Sequence, residues 1–362
     1  MPGTRTRKQY HLKKQSRTKT KHHHHTHQSK NSSQRQRQIQ SPEFPWYADE
    51  YNFNLSRILD IVARRKPQLK IYTTSPARDY PKYHSRFIPF ANTKQYYIIK
   101  SPWDDNLELN YLTDYFTEKC RMTCQFGRFH SPLEYWRKNH HAIQRQLARN
   151  RLPLNNYNVR EALYSMNRLM YCNNFRISLC LEVLDLFKPA KWLDISAGWG
   201  DRLISALLSP HVEEYCGVDP NPCLHPGYNS IIKHLDPTRG KKCTLIQDGF
   251  ESAKLPPNAQ YDLVFSSPPF FNLEVYSKEA TDSITAYASV DAWFSGFLMP
   301  AIKKSLEHLA PGGHLVLYIA EAHDEVKYIP RMIEETDKLA ANAGRFYYTD
   351  GKRIREFYCW QR

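Results

Sequence analysis

The chain has 362 residues, is 41% hydrophobic and carries a net charge of +15. That is long enough for two ordinary domains with a sizeable core. No apolar run approaches bilayer length and no apolar segment follows the basic N-terminus, so neither a membrane anchor nor a secretory leader is expected and an intracellular protein is. The charge is unevenly placed. Eleven of the 51 Lys and Arg, and none of the 36 Asp and Glu, fall in residues 1–40, so residues 41–362 carry only +4. Eight cysteines scattered along a chain of this size read as reduced thiols rather than a disulfide framework.

Residues 1–45 are Lys-, Arg-, Gln-, Ser- and His-rich with almost nothing apolar. They are expected to be a disordered basic tail, suited to a nucleic-acid arm, an import signal or simple solvation. Residues 46–172 read as a mainly helical domain with an irregular Tyr- and Pro-rich stretch near 66–100. Ser131, Pro132 and Glu134 form a capping box with proline at the first helical position, starting a helix that runs through Trp136, Ile143 and Leu147. Further helices are predicted from about Val159 to Tyr171 and from Phe175 to Phe187. Cys120, Cys124 and His130 lack the second ligand pair of a structural zinc site, and no metal is expected.

From Lys191 the pattern changes to short apolar runs alternating with helical segments: Trp192–Ile195, Tyr215–Val218, Thr244–Ile246, Asp262–Ser266 and His314–Ile319. Such alternation predicts a parallel sheet with helices on both faces. Arg345–Tyr348 and Arg355–Trp360 flank Asp350-Gly351, a turn pair that favours a terminal hairpin. Ordinary dinucleotide-binding domains tend to lack that hairpin.

The first strand runs into Asp194-Ile-Ser-Ala-Gly-Trp-Gly-Asp201 and then a helix. Gly198 and Gly200 permit a tight turn and close approach of a ligand, and the helix N-terminus behind them favours a carboxylate. Asp194 is placed to receive an ammonium group. Asp219 ends the second strand, where a carboxylate accepts hydrogen bonds from ribose hydroxyls. Asp248 follows the third strand, where an adenine amino group would lie. The Gly-x-Gly-x-x-Gly fingerprint of nicotinamide cofactors is not met.

The fourth strand ends in Ser266-Ser267-Pro268-Pro269-Phe270-Phe271. Two prolines remove two N–H donors, leaving the Ser267 hydroxyl and the Pro268 carbonyl as acceptors for an amino group with two hydrogens. Phe270 is placed to stack on a planar substrate. Asn272, Glu274 and Tyr276 follow, as contacts or a lid. A proline-rich cap on a buried strand would use the same residues.

These motifs resemble those of class I S-adenosylmethionine-dependent amino-methyltransferases, whose fourth-strand motif is Asp, Asn or Ser, then Pro-Pro, then Tyr, Phe or Trp. Asp194-x-Ser196-x-Gly198-x-Gly200 is similar to their first motif, with Ser196 where Gly is frequent. Asp219, Asp248 and Ser267–Phe270 match the second to fourth. The resemblance covers roughly residues 173–362. The run Ile195–Arg202 with Ser267–Tyr276 also resembles the predicted methyltransferases of large DNA viruses and phages.

The resemblance implies a Rossmann-like α/β fold with a C-terminal antiparallel hairpin and S-adenosyl-L-methionine as cofactor. It implies cofactor contacts from Asp194, Ser196, Gly198, Gly200, Asp219 and Asp248, and from Phe175 with its neighbours Asn174 and Arg176. Ser267, Pro268, Pro269 and Phe270 become the catalytic loop. The implied acceptor is an exocyclic amino group of cytosine or adenine in DNA or RNA, with 46–172 aiding recognition. A protein glutamine or asparagine amide presents the same two hydrogens, and an inactive cofactor-binding subunit is the third reading. Salt-sensitive nucleic-acid binding separates the first, mass gain on a protein the second, cofactor binding without turnover the third. Oligomeric state is not legible.

Overall fold

The computed structural model describes residues 43–362 except 82, 84–86, 102–106, 168–171, 278, 324, 325 and 352. The expected basic tail lies outside the described residues up to residue 42. Its assigned end does not hold, because Phe44 is buried against Trp46 and Trp136, with ring centroids 4.8 and 5.8 Å away.

Eleven strands occur among the described residues: β1 (Leu69–Tyr72), β2 (Tyr96–Lys100), β3 (Gln125–Phe126), β4 (Lys191–Asp194), β5 (Glu214–Val218), β6 (Lys242–Ile246), β7 (Tyr261–Ser266), β8 (Glu274–Val275), β9 (Leu309–Tyr318), β10 (Ala341–Thr349) and β11 (Ile354–Gln361). Nine of them form one sheet in the order β1-β2-β10-β11-β9-β7-β4-β5-β6. The run β6-β5-β4-β7-β9 is parallel throughout. β11 inserts antiparallel beside β9, and β10 pairs antiparallel with β11. This is the expected Rossmann-like sheet with a C-terminal hairpin, and the carboxyl end of β10 lies at the same edge as those of β4, β5, β6, β7 and β9.

Alternate residues of the central strands serve two cores. Trp192, Leu263, Phe265, Val316 and Phe357 face one layer, which includes the helices Ile177–Phe187, Asp201–Leu208 and His225–Leu235. Leu193, Val264, Leu315, Leu317 and Trp360 face the other, with the helices Met299–Glu307 and Ile329–Asp337. A strand buried on both faces reads as a continuous apolar run, which is why β4, β5, β7 and β9 were visible in the sequence.

The described residues from 43 onward belong to one compact unit. Within it the segment expected to be mainly helical contributes β1 and β2 to the sheet, with β2 parallel to β10. Its helices Pro132–Arg149 and Asn156–Asn167 enclose a small core of Trp136, Ile143, Leu147, Val159 and Leu163. Ser131 accepts from the Glu134 amide at 3.3 Å, the N-cap half of the predicted capping box, while the Glu134 carboxylate meets Lys138 at 2.6 Å and His130 at 3.0 Å. The predicted continuation of the second helix to Tyr171 lies outside the described residues from 168 onward.

Two further links bind this segment to the rest of the chain. Asp114, paired inside the segment with Arg121 at 2.6 Å and Arg160 at 2.7 Å, also accepts from Asn174 at 3.3 Å. Cys120 and Cys223 form a disulfide across 103 residues of chain. The expectation of eight free thiols is thereby corrected, since the partners are brought together only by the packing of the helix Asp114–Arg121 near the helix His225–Leu235.

Candidate active site at the carboxyl edge of the sheet

A cavity of about 610 Å³ opens where the strands β4, β5, β6, β7, β9 and β10 end. In open α/β sheets this edge is where ligands bind. It is walled by Ser196, Gly198 and Trp199 after β4, by Asp219 and Asn221 after β5, and by Gly249, Phe250 and Glu251 after β6. Ser267, Pro269 and Phe270 follow β7, and Asn173 to Arg176 close the side before the first helix. Pro268 is buried and does not line the cavity.

Asp194 is not a ligand-facing group. Its carboxylate is fully buried and accepts from Arg202 Nε at 2.8 Å, Tyr215 Oη at 2.9 Å and Ser266 Oγ at 2.7 Å. The ammonium role expected of it is therefore not supported by this geometry; the neighbouring arginine, eight positions past the strand, neutralises it instead. Ser196 Oγ lies 2.8 Å from Ser266 Oγ and 3.1 Å from the Ser267 carbonyl. A hydrogen-bonded chain thus runs from Asp194 through Ser266 and Ser196 to the proline loop. A glycine at position 196 would leave that loop without this tether.

The two glycines do different work. Gly198 (φ +60°) lies on the cavity wall and its amide donates to Asp219 Oδ2 at 2.8 Å. Gly200 (φ +100°) caps the helix Asp201–Leu208 and is packed away from the cavity. A Cβ there would meet Ile231 Cδ1 at 2.6 Å. Its glycine is required by helix packing as well as by the turn.

Asp219 is buried, and burial pushes its carboxyl up to about 7 even though the Asn221 and Gly198 amides hold it down. No cation lies within ion-pair distance of it among the described residues. Asp201 and Glu274 on the same cavity are likewise pushed up to about 7 by burial. Asp248 does not reach the cavity. It accepts from the Gly249 amide at 2.8 Å and Ser252 Oγ at 3.0 Å, and the next three residues form the wall in its place.

The proline loop is held from both sides. Phe271 adopts φ +51°, a left-handed conformation costly for a side chain of its size, and is buried with its ring 5.8 Å from Trp293. This turn leaves Phe270 on the cavity, with its ring 6.1 Å from Tyr318. Downstream, β8 pairs with β3, so Phe126 joins the wall and the Gly127 amide donates to Leu273 O at 2.8 Å. Glu274 and Tyr276, expected as contacts or lid, both line the cavity. Phe175 sits there too, its ring 5.7 Å from Phe265 and 5.5 Å from Tyr318.

The sequence reading did not find Glu251, Tyr318, Tyr348, Arg353 or Arg355, all of which reach the cavity. Tyr318, Tyr348 and Arg355 each lay at or near the end of a predicted strand run; Glu251 and Arg353 carried no signal.

No family model and no curated protein matches the chain. Solved structures resemble it distantly. A methyltransferase from Pyrococcus furiosus is 13% identical over 52% of this chain and 83% of its own, with a TM-score of 0.37. A Listeria monocytogenes protein described as a class I S-adenosylmethionine-dependent methyltransferase is 15% identical over 71% and 82%, with a TM-score of 0.41. An amino pentose methyltransferase from Micromonospora echinaspora, solved with S-adenosylmethionine bound, is 13% identical over 51% and 90%, with a TM-score of 0.34. Likenesses this distant assign neither an activity nor a substrate. Among the described residues no helix is long and apolar enough to cross a membrane, and no cluster of side chains suits a metal ion.

Proposed function

We propose that this chain is an S-adenosylmethionine-dependent N-methyltransferase acting on an exocyclic amino group of a nucleic-acid base, cytosine N4 or adenine N6. The observation that carries the reading is that the Ser267–Phe270 loop opens onto the same cavity as Gly198, Asp219 and Phe175.

The cavity suits the cofactor's donors. Among the described residues it presents the Asp219 carboxylate without a cation at ion-pair distance, and two buried acceptors on its wall, Asn174 Oδ1 and Glu251 Oε2, have no hydrogen-bond partner there. Buried acceptors left unpaired cost free energy until a ligand supplies donors. Ribose hydroxyls suit Asp219, and an ammonium or amino group suits the other two. When bound, S-adenosylmethionine supplies an electrophilic methyl group.

The chain's own work is then positioning. The Ser267 hydroxyl accepts a hydrogen bond from the substrate amino group, the Asp194–Ser266–Ser196 chain fixes the loop that carries it, and Phe270 stacks on the base. The base enters flipped from a duplex or from a single strand. The helix Pro132–Arg149 assists, because Arg137, His141, Arg145 and Arg149 recur at four-residue spacing and are all exposed.

The test is methyl transfer from labelled S-adenosylmethionine to DNA, RNA and a protein extract in parallel, followed by nucleoside analysis. Label in N4-methylcytosine or N6-methyladenine is the expected result. Label only in protein would overturn the base assignment.

A further inference from the structure

We propose that Arg355, supported by Arg353, is a phosphate-binding clamp on the substrate side of the cavity, so the substrate is a nucleotide unit and not a nucleoside or a peptide amide. The inference rests on the base-methylation reading and narrows it.

The hairpin places these residues. β10 ends at Thr349 and β11 begins at Ile354, at the edge where the cavity opens. The intervening turn is tight, with Gly351 at φ +88° and the Arg353 amide donating to Asp350 Oδ1 at 2.9 Å. Arg353 and Arg355 both line the cavity from this turn.

Arg355 is half-buried, and the partner its guanidinium has is neutral: Nη1 donates to Tyr318 Oη at 3.3 Å. No carboxylate lies within 4 Å of Arg355 or Arg353 among the described residues. Arg202, by contrast, is held by Asp194. The nearby acids are engaged elsewhere. Glu321 accepts from the Tyr328 and Ile329 amides, and Asp350 caps the turn. A half-buried guanidinium with no carboxylate at ion-pair distance among the described residues is an unfinished contact, and its planar fork fits phosphate oxygens.

Tyr318 joins the two parts of the substrate site. Its ring lies against Phe270, and its hydroxyl meets Arg355. The stacking ring and the guanidinium are therefore one tyrosine side chain apart, a separation of the order that joins a base to its own phosphate. Peptide amides carry no anion at that position.

The test is equilibrium binding to the full chain, in the presence of S-adenosylhomocysteine, of cytidine and adenosine, their 5′-monophosphates, and a short single-stranded oligonucleotide with no terminal phosphate. The wild type should bind the phosphorylated ligands at least tenfold more tightly than the nucleosides. Tighter binding of the monophosphate than the oligonucleotide would assign a terminal phosphate, and the reverse an internal phosphodiester. Arg355→Ala should abolish most of that preference, Arg355→Lys should restore part of it, and Arg353→Ala should reduce it about threefold. All three variants should leave S-adenosylhomocysteine affinity unchanged, which controls for folding. Equal affinity for nucleoside and nucleotide, or equal weakening of both by Arg355→Ala, would overturn the clamp while leaving base methylation intact. Binding of S-adenosylhomocysteine with no affinity for any base-containing ligand would overturn both.

Discussion

The two walls of the cavity differ in how their polar groups are satisfied. On the β4 side, Asp194 is consumed by Arg202, Tyr215 and Ser266, Ser196 by the proline loop, and Gly200 by helix packing. On the hairpin side, Arg353 and Arg355 face the cavity with no carboxylate partner among the described residues. The motif that stands out most in the sequence is largely frame, and the wall that lacks any motif holds the unsatisfied charge. Residue pattern locates a site; hydrogen-bond satisfaction tells which of its members are left to bind something.

Asp194→Ala gives the sharpest test of this contrast. Removing one partner of a buried pair should lower stability by about 3–5 kcal/mol, read as a fall in thermal midpoint, while cofactor affinity below the transition changes little. A selective loss of affinity with unchanged stability would make Asp194 a ligand after all. Ser267→Ala should follow, lowering kcat on the order of a hundredfold with cofactor affinity kept; equal losses in both would remove Ser267 from the substrate side.

Asp219 gives a pH signature. Its carboxyl ionises near the ordinary carboxylate value in the unfolded chain but only near 7 when folded. The protein without ligand therefore loses stability as pH rises from about 4 to about 7, and no further loss comes from this group above that. Hydroxyl donors need the ionised form, so cofactor affinity should rise about tenfold per pH unit up to about 7 and then level off. Titration calorimetry of Asp219→Asn should show weaker binding and a flat profile. A slope that survives the substitution would point to Asp201 or Glu274 instead. The smallest effect is expected at the helical face, where Arg145→Ala should weaken nucleic-acid binding two- to threefold and reduce its salt slope by about one. An unchanged slope would remove that face from the interface.

The parallel strands and the hairpin were legible because each is an apolar run with turn residues at its ends. β1 and β2 were not. β1 is an edge strand with only partly buried side chains, and β2 pairs with β10, about 250 residues away in sequence. The positions of Ser267, Phe270, Gly198 and Asp219 on one cavity followed from their places at strand ends, and Phe175 from the resemblance alone. The fate of Asp194 did not, because which neighbour neutralises a carboxylate depends on side-chain direction within the fold. The same holds for the cysteine pair, whose members share no local pattern.

That pair has a topological consequence. The disulfide Cys120–Cys223 closes a covalent ring that contains the helical hairpin, β4 and β5. Cutting the backbone once anywhere inside the ring leaves the two pieces joined until the bond is reduced. The wall carrying Trp199, Asp219 and Asn221 would thus outlast a nick in the helices above it, and a gel run with and without reductant would report two different molecules from the same cleavage.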